Sequence, residues 1–76
     1  MCKYTDAMGS INGTIKLYRY GLLTIQETLT GINTAIDNFI AGNYKMDPGK
    51  RYKAMNRLYR HGLQQIIKYS KILERE

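Results

Sequence analysis

Eleven apolar residues, Tyr4, Met8, Ile11, Ile15, Tyr18, Leu22, Ile25, Leu29, Ile32, Ile36 and Phe39, follow one another at alternating steps of four and three. That spacing keeps side chains on one side of an α-helix and forms the seam of a coiled-coil-like element. Thr5 or Asp6 supplies an N-cap, and Gly42 with Asn43 a left-handed stop. The reading is a helix one over about 6–41, roughly 50 Å long at ~1.5 Å per residue. Gly9, Gly13, Gly21 and Gly31 weaken it, each by on the order of 1 kcal/mol relative to Ala. The weakest region is Gly9 to Gly13, and a break there, leaving a short N-terminal helix, is the alternative boundary.

Asn43-Tyr44-Lys45-Met46 is a short connection, and Asp47-Pro48 starts a second helix. The Asp carboxylate caps, and the proline sits where its missing N–H is harmless. Helix two then runs over about 48–73. A connection this short makes the helices antiparallel neighbours, so the expectation is an all-α, two-helix hairpin forming a single domain over 1–76. Two helices bury only one stripe each, and 76 residues supply a small core. A homodimer closing into a four-helix bundle is the economical solution, with Tyr18 and Tyr59 at the interface and Gly21 and Gly62 as sites of close helix approach.

Helix two has two expected faces. Tyr52, Met55, Tyr59, Leu63, Ile66, Tyr69 and Leu73 make an apolar seam. Lys50, Lys53, Arg57, Arg60, Gln64, Lys68, Lys71 and Arg75 recur at the same steps about 200° away. Residues 1–44 carry three cations and three acids, whereas residues 45–76 carry nine cations and three acids, so the net charge of +6 lies wholly in the second part. Localised basicity favours an anionic partner: nucleic acid, or an acidic protein surface. Helix one, by contrast, shows an uncharged polar surface of Thr24, Gln26, Thr28, Thr30, Asn33, Thr34 and Asn38. Part of that surface is a candidate for packing against a second copy or a partner.

A ten-residue pattern occurs twice. Lys16-Leu17-Tyr18-Arg19-Tyr20-Gly21-Leu22-Leu23-Thr24-Ile25 aligns without gaps on Arg57-Leu58-Tyr59-Arg60-His61-Gly62-Leu63-Gln64-Gln65-Ile66, with six identities. In a hairpin the two copies would be antiparallel, related by a pseudo-two-fold axis, and would present two Tyr-Arg-aromatic clusters. The triplet Leu17-Tyr18-Arg19, with Phe39 further along, resembles the signature of the mitochondrial LYR-motif proteins. The resemblance implies a small basic helical adaptor that binds acyl carrier protein. That family has one triplet and three helices. This sequence has a second triplet at Leu58-Tyr59-Arg60 and offers two substantial helices, so the resemblance is not adopted.

Little in the chain suggests reaction chemistry. His61 is the single histidine, the acids are scattered, and no base–nucleophile–orienter set can be assembled. Gly9-Ser10-Ile11-Asn12-Gly13 matches no phosphate-cradling loop. Cys2, the only cysteine, excludes an intramolecular disulfide. No metal, cofactor or membrane partner is expected, and the absence of a secretory signal or an apolar span predicts a cytoplasmic protein.

The expectation is therefore a non-enzymatic protein that binds nucleic acid, mainly through its phosphate backbone. Lys50, Lys53, Arg57, Arg60, His61, Lys68, Lys71 and Arg19 are the candidate anion-binding residues. Tyr20, Tyr44 or Tyr52 offer faces for stacking bases. Two alternatives stand beside it. One is a small regulator or inhibitor, of phage or mobile-element type, that docks on a larger protein through Tyr and Arg anchors. The other is a receptor for a small anionic ligand held between protomers by Arg19, Arg60 and nearby tyrosines.

Overall fold

The computed structural model describes residues 3–74, with no side-chain description for Ile72, Leu73 and Glu74. It is all-helical: α1 spans Tyr4–Arg19, α2 Ile25–Gly42 and α3 Pro48–Glu74. The expected helix one is thus two helices, and the expected hairpin is a three-helix bundle measuring 45 × 18 × 18 Å. The break lies at Gly21, not at Gly9–Gly13, and α1 runs unbroken through both of those glycines.

Three local signals set the break. Gly21 has φ +77°, the left-handed conformation that glycine adopts without steric cost. Its N–H donates to the Tyr18 carbonyl at 2.9 Å, and the Leu22 N–H donates to the Leu17 carbonyl at 2.9 Å. These paired bonds satisfy the last carbonyls of α1 and turn the chain out of the helix. Thr24 then caps α2: its Oγ1 accepts from the Glu27 N–H at 3.1 Å, while Glu27 Oε1 accepts from the Thr24 N–H at 3.0 Å. A stop followed within three residues by a reciprocal start outweighs an apolar seam that continues in phase across it.

The start of α1 and the end of α2 also differ from expectation. Lys3, rather than Thr5 or Asp6, occupies the N-cap of α1, with its N–H donating to Asp6 Oδ2 at 3.3 Å. Asn43 closes α2 with φ −130° rather than in the expected left-handed conformation, its side-chain amide donating to the Phe39 carbonyl at 2.8 Å. Asp47 caps α3 as expected, accepting from the Lys50 N–H at 3.2 Å.

The core gathers Ala7, Ile11, Ile15 and Tyr18 from α1, Thr28, Ile32, Ala35, Ile36 and Phe39 from α2, and Leu58 and Ile66 from α3. The seam is used on both sides of the break, but Leu22 and Ile25, which flank the turn, are exposed. On α3 the buried line is Leu58, Gly62 and Ile66, with Ala54, Met55, Tyr59 and Tyr69 packed beside it. Tyr52 and Leu63, expected in the seam, are 61% and 45% exposed. The reason is the fit between helices: a Cβ on Gly62 would lie 2.9 Å from Ile32 Cδ1, so glycine rather than leucine faces α2.

Gly31 makes the corresponding contact between α2 and α1, where a Cβ would lie 2.8 Å from Thr14 Cγ2. Nothing approaches the Cβ position of Gly21, so its role is the turn and not helix contact. With a third helix the chain buries the greater part of the helix-one seam within itself, leaving Leu22 and Ile25 exposed. Burial of the seam therefore does not by itself require a second copy.

Thr28, expected on the uncharged outer surface of helix one, is instead fully buried, and that residue and its exposed neighbours on α2 share one local feature. Thr28, Thr30 and Thr34 donate their hydroxyls to the carbonyls four residues back, at 2.7, 3.0 and 2.9 Å. Their polarity is largely spent on their own helix.

Candidate anion-binding face

Because α3 buries the line through Leu58, Gly62 and Ile66, helical periodicity sends Lys53, Arg57, Arg60, Gln64 and Lys71 to the opposite side. Lys50, Lys53, Arg57, Arg60, Lys68 and Lys71 are all exposed. From Lys50 to Lys71 the row extends about 32 Å at ~1.5 Å per residue. Among the described side chains no carboxylate is paired with these cations, and all six are open to solvent. Arg75, the expected end of the row, lies outside the described residues, as does Cys2.

Arg19 joins the row from another helix. Its guanidinium carbon lies 5.2 Å from the centroid of the Tyr69 ring, and Lys68 Nζ lies 5.5 Å from the same ring. The electron-rich face of Tyr69 attracts both cations and so brings α1 and α3 charges together. Arg51 belongs to a different arrangement: its Nη1 donates to the Tyr44 carbonyl at 3.0 Å and ties α3 to the preceding loop.

Four residues proposed from sequence sit in the protein's own packing. His61 is half-buried, and its Nε2 lies 2.6 Å from Asn12 Oδ1 on α1, a bond in which the ring N–H donates to the amide oxygen. Tyr18 is buried, with its hydroxyl bonded to that of Ser70. Tyr59 packs half-buried against the core, and Gly62 is buried against Ile32. Tyr18 and Gly62 are thus contacts between helices of one chain.

The repeated pattern is not repeated in structure. Asn12 meets His61 and Tyr18 meets Ser70, so α1 and α3 run parallel, not antiparallel as a hairpin would have them. Leu17 is 43% exposed whereas Leu58 is fully buried. Gly21 ends a helix whereas Gly62 lies inside one. The following residues explain the difference. Thr24 and Glu27 form a capping box after the first copy, whereas Gln65 and Lys68 at the same places in the second favour continued helix.

Comparison with protein-family models, curated proteins and solved structures finds no match to this chain.

Two cavities that share Met46 lie at one end of the bundle, and no pattern in the sequence points to them. One, of about 350 Å³, is lined by Tyr4, Phe39, Met46, Ala54, Lys50, Lys53 and Arg57. The other, of about 500 Å³, is formed by the loop residues Gly42 to Met46, including Tyr44. The walls of the first come from α1, the end of α2, the connecting loop and the start of α3, so the packing of all three helices forms it, whereas the second is built within one contiguous segment. Among the described residues there is no group of three metal-ligating side chains and no helix long and apolar enough to cross a membrane.

Proposed function

We propose that this protein binds nucleic acid without catalysing a reaction, gripping the phosphate backbone through the solvent face of α3. The observation that carries this reading is the exposed row Lys50, Lys53, Arg57, Arg60, Lys68 and Lys71 on one side of α3, extended by Arg19 beside the Tyr69 ring. Phosphates attract such a row irrespective of sequence, and release of their condensed counterions makes the binding strong at low salt. Arg57 and Arg60 offer bidentate contacts, and the lysines act as point charges. His61, held by Asn12, positions α1 against this face and does not itself contact phosphate in this reading.

Replacing Arg57 and Arg60 by Glu is expected to abolish binding to a duplex oligonucleotide at low salt. Partial charge removal, Arg57→Gln alone, should reduce the salt slope by about one unit. Unchanged affinity in the double Glu variant sinks the reading.

A second reading has its own observation. Tyr52, Leu63 and Ile67 are 61%, 45% and 57% exposed on the flank of α3 beside the cations. Apolar anchors next to basic side chains suit an acidic protein surface, and the protein would then act as a small docking regulator. Such a complex survives high salt, whereas phosphate contacts do not. Retention of a partner at high salt, lost in a Tyr52→Ala and Leu63→Ser variant, would favour this reading over the first.

A further inference from the structure

The cation row does not end on a plain surface. Lys50, Lys53 and Arg57, its first three members, also form the rim of the cavity whose floor is Tyr4, Phe39, Met46 and Ala54. Tyr4 is half-buried and meets Phe39 edge to face, with centroids 6.2 Å apart. Met46 is shared with the second cavity, where Tyr44 is 68% exposed and Lys45 Nζ lies 5.7 Å from its ring. The end of the bundle thus presents two neighbouring recesses with aromatic walls, opening onto four cations.

Purely electrostatic backbone binding needs cations and has no use for such recesses. A ligand that fills them has flat apolar parts spaced along an anionic chain. Duplex nucleic acid does not meet this description, because its bases are stacked and paired inside the helix and offer a protein their edges in the grooves but not their flat faces. A single strand does, since unpaired bases turn outward and stack on aromatic side chains while the phosphates between them meet Lys and Arg.

We infer that the Tyr4–Phe39 and Tyr44 recesses receive unpaired bases, so that the protein binds single-stranded nucleic acid in preference to duplex. This rests on the backbone-binding reading above and adds to it the form of the nucleic acid. Lys50, Lys53 and Arg57 hold the phosphates flanking the base in the first recess, and Lys45 serves the second. Phe39, buried beneath Tyr4, fixes the ring of Tyr4 as one wall and does not stack itself. The stacking faces belong to every base, so little sequence preference is expected.

The test compares a twelve-nucleotide oligothymidine with a twelve-base-pair duplex at the same salt concentration, using the full chain. The single strand is expected to bind about tenfold more tightly, the scale of one stacked base. Tyr44→Ala removes an exposed side chain without touching the core. It is expected to lower the ratio of single-strand to duplex affinity several-fold. Ala54→Leu fills the floor of the first recess and should lower the same ratio, with thermal melting recorded to confirm folding. Equal affinity for the two probes, or a ratio unmoved by Tyr44→Ala, overturns the inference while leaving backbone binding in place. Failure of both probes to bind at low salt overturns the reading beneath it.

Discussion

Gly62 of α3 faces Ile32 of α2 so closely that a Cβ at position 62 would lie 2.9 Å from Ile32 Cδ1 and 3.3 Å from Cγ2. Three atoms of one buried side chain crowd the site, so rotation of the terminal methyl alone does not clear it. Gly62→Ala gains about 1 kcal/mol of helix propensity but overpacks the core at a cost of about 1–3 kcal/mol. The variant is expected to be less stable than the wild type in urea unfolding. Ile32→Val removes Cδ1, and the double variant should recover part of the loss, a coupling that a double-mutant cycle measures.

Gly13 provides the opposite sign. It lies exposed inside α1 with nothing within 4 Å of its Cβ position. Gly13→Ala therefore gains propensity without a steric charge and should stabilise the protein by up to about 1 kcal/mol. A higher urea midpoint with unchanged slope is the expected result. A loss of stability would show that α1 has a neighbour at this position.

These two glycines show what was legible in the sequence and what was not. Helical class, the start of α3 at Asp47-Pro48 and the polarity of its two sides all follow from spacing and capping chemistry, which are local. The phase of the α3 core does not follow from spacing, because a seam of large residues puts Leu63 inward, whereas the inter-helix distance selects Gly62. That distance is a tertiary fact. The break at Gly21 is legible in Gly21, Thr24 and Glu27, although the four-three steps run unbroken across it. Of the proposed site, the cation row was visible from periodicity. The recesses were not, since Tyr4, Phe39 and Met46 come from distant segments and each reads as ordinary core.

Tyr18 and Ser70 link α1 to α3 through their hydroxyls in a half-buried setting. Tyr18→Phe keeps the ring packed in the core but leaves Ser70 without this partner. The expected loss is about 1 kcal/mol. Adding Ser70→Ala to that variant should cost little more, because both polar groups are then gone. Independent losses of equal size in the two single variants and their sum in the double would contradict the bond.

Gly21 and Thr24 decide that this chain has three helices. Alanine at 21 would have to adopt φ near +77°, which costs an L-residue about 1–2 kcal/mol. Asparagine enters that region more readily, so Gly21→Asn should be the milder change. Thr24→Ala removes the side chain that accepts the Glu27 N–H and is expected to cost about 1 kcal/mol. The apolar seam remains in phase across the turn, so the strain in Gly21→Ala has an outlet in extending α1 toward α2. Gly21→Ala with Thr24→Ala should therefore gain helical circular dichroism signal while losing stability toward urea. Helix content that falls together with stability would show that the turn is held by the rest of the bundle and not by its own caps.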